Sequence, residues 1–415
     1  MRILFICHRI PYPPNKGEKI RAFWELRELS RRHEVDLFCF YDDPEDKKQA
    51  HQLSQYCREY YAQRLSWFWS RAQAFLALLF GRPFSTAFFY SRGMAKRIES
   101  AISARSYHRI LVFSSSMAQY VENHGEIPRV LDLVDVDSDK WLQYAKSSSW
   151  PLSWLWRREA QRLGAYEARL VQEFSTTVVC TDAEARLLRV KAPVGEVTVL
   201  QNYIDVPQYD PETVSVPEQI RSWQPYVLFS GSMDYFPNVD AAEYFYRAIF
   251  RLIRREIPEV RLVIAGRSPH SSIEALRSDP AVQVTGSVAD MKPYICGAAV
   301  AVVPMRIARG VQNKILEALA CGIPVVSTTV AADALPEPIR ALVKVADTPQ
   351  EIASSVIKLL RSGSAISSQE LRAGLKNYIE NLDLRSQLES LMRDPTRNSG
   401  EDKSFRSYAG EAVAQ

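Results

Sequence analysis

The stretch AVAVVPMRIARGVQNKILEALACGIPVVST, residues 299–328, places two apolar, β-branched runs on either side of a glycine-punctuated loop and a segment of helical period. AVAVVP (299–304) and IPVVST (323–328) have the length of buried strands, and residues 311–321 between them carry apolar side chains at helical spacing. Strand, helix and strand in that order make a βαβ unit, with its strands parallel in one sheet and the helix on its face.

The same alternation extends outward from this unit. YVLFSG (226–231), VRLVIAG (260–266) and VQVTGS (282–287) read as further strands, with helical patterns at 238–255, 272–278 and 349–361. In the first half the strands are RILFIC (2–7), VDLFCF (35–40), RILVFS (109–114), RVLDLV (129–134), TTVVC (176–180) and VTVLQN (197–202), and KIRAFWELRELSRR (19–32) is the first helix. Residues 203–225 hold four prolines and no period, as a connection between domains would.

A chain of 415 residues with 47% apolar content exceeds one comfortable core and suits two domains of about 200 residues. The expected fold is therefore α/β, with two Rossmann-like, doubly wound domains facing across a cleft, residues 1–204 and 205–368. A helical segment at 369–392 is expected to pack back on the first domain, and the polar tail 393–415 to be disordered.

Charge and cysteine usage narrow the class. The net charge of +4 divides into 29 basic against 24 acidic residues up to Asp205 and 23 against 24 beyond it, so an anionic partner would meet the first half. The second half has no basic stripe for nucleic acid, and no GxGxxG follows a strand, which argues against a dehydrogenase. Six scattered cysteines without metal-ligand spacing read as buried, reduced thiols of a cytoplasmic protein, and no metal site or cofactor is expected. MRILFIC reads as a first strand, not a signal segment, and no apolar run reaches the roughly 18 residues that span a bilayer.

Ligands of open parallel sheets bind beyond the carboxyl ends of the strands, which directs attention to the loops leaving those ends. After 304, Gly310 permits close backbone approach, and the helix that follows presents unpaired N–H groups and a positive dipole end. Lys314 one turn in, with Arg306 and Arg309 flanking the glycine, would cradle a diphosphate. Glu317 shares a face with Lys314, so its carboxylate is placed to accept hydrogen bonds from sugar hydroxyls. Alternatively, Lys314 and Glu317 form a surface pair worth only about 0.2–0.5 kcal/mol.

The pattern K-x-x-E-A-x-A-x-G-x-P-V-V, present as Lys314, Glu317, Ala318, Ala320, Gly322, Pro324, Val325 and Val326, resembles the GT-B glycosyltransferases, in particular the retaining family 4-like group. It looks closest to the bacterial exopolysaccharide sugar transferases associated with the PEP-CTERM/EpsH1 export system. The resemblance implies that Glu317 holds the ribose of a nucleotide diphosphate sugar, that Lys314 and Arg306 stabilise its diphosphate, and that Gly286 and Ser287 border the nucleobase. It also implies Gly231 and Ser232 as backbone donors near the leaving phosphate. Two departures accompany it. Arg309 stands where relatives carry a first glutamate near the donor sugar, and the loop GSMDYFPN lacks their Arg and Lys, which shifts charge neutralisation to Arg267, Arg306, Arg309 or Lys314.

In the first half, HRIPYPPNKGEKIR (8–21) resembles the proline-and-glycine loop of these transferases, with Gly17 and Glu18 facing donor and acceptor. RVLDLVDVDSDKW puts Asp132, Asp135, Asp137 and Asp139 at or past a strand end and so at the rim of the cleft, without the glycine and distal glutamate of a calcium loop. Asp135 is the candidate acceptor-side base or hydroxyl anchor, with helix capping as the alternative.

The segments SWFWSRAQAFLALLFGRPF and SSSWPLSWLWRREAQRL leave two readings open: a helix core with a solvated face, or a surface that dips into an anionic membrane interface. The resulting expectation is a metal-independent, retaining glycosyltransferase with a saccharide or lipid-linked acceptor, in exopolysaccharide or cell-envelope biosynthesis, at the cytoplasmic side of the plasma membrane. A nucleotide-sugar epimerase of the same architecture and a non-catalytic nucleotide-sugar-binding subunit are the competing expectations.

Overall fold

The computed structural model describes residues 1–14 and 17–393; beyond Arg393 the tail expected to be disordered lies outside the described residues. The first sheet comprises β1 (Arg2–Cys7), β2 (Glu34–Tyr41), β3 (Glu59–Arg64), β4 (Arg109–Phe113), β5 (Arg129–Val134), β6 (Thr176–Val179) and β7 (Val197–Val199). Its order is β3-β2-β1-β4-β5-β6-β7, and every pairing is parallel. The second comprises β8 (Tyr226–Ser230), β9 (Arg261–Ala265), β10 (Val282–Val284), β11 (Val300–Val303), β12 (Val325–Ser327) and β13 (Lys344–Val345). It runs β10-β9-β8-β11-β12-β13, again all parallel.

Both sheets change direction of growth once, between β1 and β4 and between β8 and β11. Crevices open at such switch points beyond the strands' carboxyl ends, so these two positions fix where chemistry is to be found. The central strands are buried along their length, and their continuous apolar runs follow from helices covering both faces.

Two strands escape the sequence reading. In β3, EYYAQR is largely exposed, an edge strand whose polar side chains hide its identity, and β13 is only two residues long. The expected helix at 369–392 is two helices, Ser368–Asn381 and Leu384–Leu391, broken where Asp383 takes a left-handed φ of 43°. The first packs against helix Asn313–Ala320, while Leu384, Leu388 and Met392 enter the first domain's core beside Ile3, Phe5 and Leu29. Arg109 Nε donates to the Met392 carbonyl at 3.1 Å, and His33 meets Glu389 at 3.0 Å, so the chain returns to its starting domain.

Asp132, expected at the rim of the cleft, is instead 1% exposed and accepts from Arg21 Nε at 2.6 Å. Arg21 also donates to the Leu200 carbonyl and to Asn202 Oδ1, tying helix Gly17–Ser30 to the start of the interdomain connection. Glu25 lies 3.4 Å from the same guanidinium, and burial together with Asp132 pushes its carboxyl far above the usual range. Removing Arg21 would strand an uncompensated buried carboxylate. Arg21→Met is expected to cost about 3–5 kcal/mol in denaturant unfolding, against about 1 kcal/mol or less for a surface arginine.

Candidate active site

The second domain's switch point places Lys314 in the crevice. Helix Asn313–Ala320 begins ten residues past the end of β11 and turns Ile315, Leu316 and Leu319 into the core, which leaves Lys314 directed toward β8. Its Nζ donates to Asn238 Oδ1 at 2.7 Å, approaches Met305 Sδ at 4.0 Å and lies 4.5 Å from the centroid of the Phe229 ring. All three partners are neutral. Burial therefore lowers the amine's pKa to about 7, with Glu317 opposing the shift. A cation held against its solvation cost, with uncharged groups touching it, is ready for an anion.

The β8 loop is built to hold Asn238. Gly231 has a φ of 155°, and a Cβ there would lie 2.7 Å from Asn238 Nδ2. The amide donates to the Ser232 carbonyl at 2.9 Å, which closes the loop over its own backbone. Arg267, leaving β9, donates from Nε to Ser232 Oγ at 3.1 Å, so Gly231, Ser232, Arg267 and Lys314 come together around one crevice. Gly286, at a φ of 69°, borders open space, and Ser287 beside it is exposed.

Glu317 does not pair with Lys314, and neither occupies a solvated face, which excludes the surface-pair alternative. Burial raises the Glu317 carboxyl above its ordinary range, while Lys314 and a hydrogen bond from Tyr209 hold it down. The carboxylate forms part of the wall of a cavity between helix Gly17–Ser30, the connection at 203–209 and helix Asn313–Ala320, shared with Trp24, Tyr203 and Asn313. Trp24 stacks on Tyr203 at 5.1 Å, giving this wall a flat aromatic surface.

The expected cradle of Arg306, Arg309 and Lys314 is divided in the structure. Arg306 is exposed, paired with Asp240 and laid 5.0 Å over the Tyr244 ring. Arg309 turns away from Lys314 toward the first domain, where Asp139 and Glu184 clasp its guanidinium. Its assignment to a diphosphate is corrected accordingly: two carboxylates across the cleft outcompete the distant crevice. No pattern within the loop could have revealed this, since both partners come from more than 120 residues earlier.

Asp135 meets the second domain directly. The β5 end is strained, with Val134 at a φ of 65°, held by its N–H to Asp132 Oδ1 at 2.8 Å and by the Cys180 N–H to its carbonyl at 2.7 Å. This bend aims Asp135 outward, where its Oδ1 accepts from Cys180 Sγ at 3.0 Å. Burial raises the carboxyl's pKa. Gly310, at a φ of 58°, lies against it so closely that a Cβ would fall 2.2 Å from Asp135 Oδ1.

Gly17 approaches the same region from the first-domain loop, with a hypothetical Cβ 3.1 Å from Asn313 Nδ2. Glu18 beside it lies 3.7 Å from Arg9, which bridges to Asp42 at 3.2 Å.

Two further residues at this face were not singled out by sequence. His8 follows β1 at the first domain's switch point, stacked 5.9 Å from Phe113 and edge-on to Phe89 at 5.5 Å. Burial lowers its pKa to about 4, against the opposing charge of Glu18, so the imidazole is neutral at pH 7. Its Nδ1 is buried without a hydrogen-bond partner among the described residues. Lys140 spans the cleft, 3.7 Å from Asp137 and 5.4 Å over the Tyr235 ring of the opposite domain. His8 opens the loop at the carboxyl end of β1, where ligands of parallel sheets bind, and that position is the signal that marks it.

Residues 224–362 match the family described as Glycosyl transferases group 1. Among solved structures, sucrose-phosphate synthase from Thermosynechococcus elongatus superposes with a TM-score of 0.68 at 17% identity, covering 96% of this chain and 100% of its own. HepE from Anabaena, crystallised with UDP and glucose, gives 0.63 at 16% identity, covering 94% and 98%. WaaG, a glycosyltransferase involved in lipopolysaccharide biosynthesis, gives 0.61 at 16% identity with the same coverage. No curated protein sequence matches the chain. Residues 224–362 thus match a group 1 glycosyl transferase domain, and the chain shares the two-domain GT-B backbone of these structures from end to end.

Proposed function

We propose that the protein transfers a sugar, with retention and without a metal ion, from a nucleotide diphosphate sugar to a saccharide or lipid-linked acceptor in exopolysaccharide or cell-envelope biosynthesis. The observation that carries this reading is Lys314, a half-buried amine at the β8/β11 switch point whose contacts among the described residues are neutral, one turn ahead of the Glu317 carboxylate. The diphosphate lies against Lys314, Arg267 and the Gly231–Ser232 backbone, and the ribose hydroxyls donate to Glu317. Asp135 anchors the acceptor hydroxyl from the opposite wall.

As the glycosidic bond to the diphosphate breaks, negative charge grows on the leaving oxygen, and donors already in place stabilise it without reorganisation. The leaving phosphate is itself basic enough to take the acceptor's proton, which explains why the cleft needs no strong carboxylate base. His8, neutral and adjacent to Glu18, is a further polar contact for sugar hydroxyls. HepE, whose structure contains UDP and glucose, and WaaG, involved in lipopolysaccharide biosynthesis, support the donor and pathway class.

Thermal shifts with UDP-, GDP- and ADP-sugars test donor binding, since saturation at 100 Kd stabilises by about 2.7 kcal/mol. One nucleotide class is expected to raise Tm, and Glu317→Ala is expected to erase the preference for the ribonucleotide over its 2′-deoxy counterpart. Sugar interconversion in donor alone, without acceptor, would replace this reading with the epimerase.

A further inference from the structure

Two segments distant in sequence build one apolar surface on the first domain. Helix Trp67–Leu79 buries Ser70 and Ala77 but directs a stripe at helical spacing into solvent: Phe68 (74% exposed), Phe75 and Leu79, followed by Phe80 (76%). Soluble helices turn such a stripe inward, so the polarity of this one is reversed. Its carboxyl end is fastened to helix Leu152–Glu173, where Arg158 Nη2 donates to the Leu78 carbonyl at 2.6 Å. Glu159 accepts the N–H groups of Phe84 and Ser85, both at 2.9 Å. Trp154, one turn before Arg158, and Trp150 (81% exposed) extend the surface from the second segment.

The charge around this surface has one sign. From Tyr60 to Ile98 there are six basic and no acidic residues, and from Lys140 to Arg158 four basic and none acidic. Arg71 lies 4.8 Å over the Trp67 ring, and Arg82 and Arg157 are exposed. Among the described residues no helix is long and apolar enough to cross a membrane.

We propose that this surface seats the protein on an anionic bilayer, with the aromatic side chains entering the headgroup region and the arginines meeting lipid phosphates. Charge complementarity selects this occupant: a second copy of the chain would set like charges against each other across the patch. The surface continues into the cleft. Phe84 and Trp156 pack on Trp141, at 5.4 and 5.0 Å, and the helix bearing Trp141 carries Lys140 to the donor side. Seated this way, the acceptor wall faces the bilayer, so a lipid-linked acceptor reaches Asp135 without leaving the membrane. This last step rests on the proposed function; the seating itself does not.

Co-sedimentation with vesicles of phosphatidylcholine alone and of phosphatidylcholine mixed with the anionic lipid phosphatidylglycerol tests the seating. Binding to the anionic vesicles is expected, weakening with salt. The triple variant Trp69→Ser, Phe80→Ser, Trp154→Ser and the variant Arg71→Glu, Arg82→Glu, Arg157→Glu should each lose it by about ten-fold or more. Both replace exposed side chains, Trp69 (65% exposed) among them, so their Tm and their thermal shift with whichever of UDP, GDP and ADP stabilises the parent should match the parent, which separates a failed seating from a failed donor site. Equal sedimentation of parent and variants would overturn the proposal. So would a parent dimer by light scattering that the variants convert to monomer with no vesicle binding.

Discussion

Lys314→Met is expected to lower kcat/KM by about 10²–10³-fold and to abolish the thermal shift with the nucleotide diphosphate. Methionine keeps most of the volume in the crevice between Asn238, Met305 and Phe229, so the fold should survive and the loss should be electrostatic. The sign of the stability change makes this prediction specific. Burial lowers the folded-state pKa to about 7, whereas the unfolded chain has an ordinary lysine near 10.4.

Between these values the unfolded state binds more protons, so the Lys314 cost is full below about pH 7 and is relieved as pH rises toward 10. Lys314→Met removes that cost, and is expected to be more stable than the parent at pH 6–7 by roughly 1–2 kcal/mol, converging with it at alkaline pH. Denaturant unfolding of both proteins across this range provides the measurement. A variant that is both inactive and less stable at pH 6 would mean that the lysine is a structural element and not a waiting charge. Donor binding should also draw a proton onto Lys314 above pH 7, visible as buffer-dependent heats in calorimetry.

Gly310→Val carries the second large effect. At a φ of 58° a β-branched residue is strained, and its Cβ would lie 2.2 Å from Asp135 Oδ1, a distance that real atoms do not tolerate. The contact crosses the cleft, so either the Asp135 side chain or the facing domain has to shift, and an opening there also pulls Arg309 from Asp139 and Glu184. Displacements near 1 Å in a preorganised site cost about 10²-fold in rate, and a loss of at least that size is expected.

Small-angle scattering should report a larger radius of gyration with little change in far-UV circular dichroism. Asp135→Ala in the Gly310→Val background clears the clash and should restore the compact dimensions without restoring full activity. If the double variant stays expanded, the strain at position 310 and not the contact with Asp135 is the cause.

The sequence reached some of this and not the rest for a physical reason that individual residues make plain. Central strands such as RILFIC and AVAVVP are buried on both faces and announce themselves as apolar runs, whereas β3, an exposed edge, follows no such pattern. Gly231 adjoins the end of β8, and helical period puts Lys314 and Glu317 near one another, but it is the resemblance of the K-x-x-E block, not the period, that singles the pair out. Asp132 was placed at the rim because strand spacing says where a residue lies along β5, not that Arg21, more than a hundred residues earlier, will cover it.

By itself, then, the sequence determined the two parallel sheets and the loops that border the crevice, consequences of local period and of the rule that parallel strands open at their carboxyl ends, while Lys314 and Glu317 were singled out by the resemblance of their block. Only the tertiary structure decided which charges are free to act. It turned Arg309 to the first domain, sent Arg306 to Asp240, gave Lys314 neutral company and brought His8 and Lys140 to the cleft. A charge's partner is set by distance through space, and in this chain the partners of the site residues come from elements that local sequence does not connect.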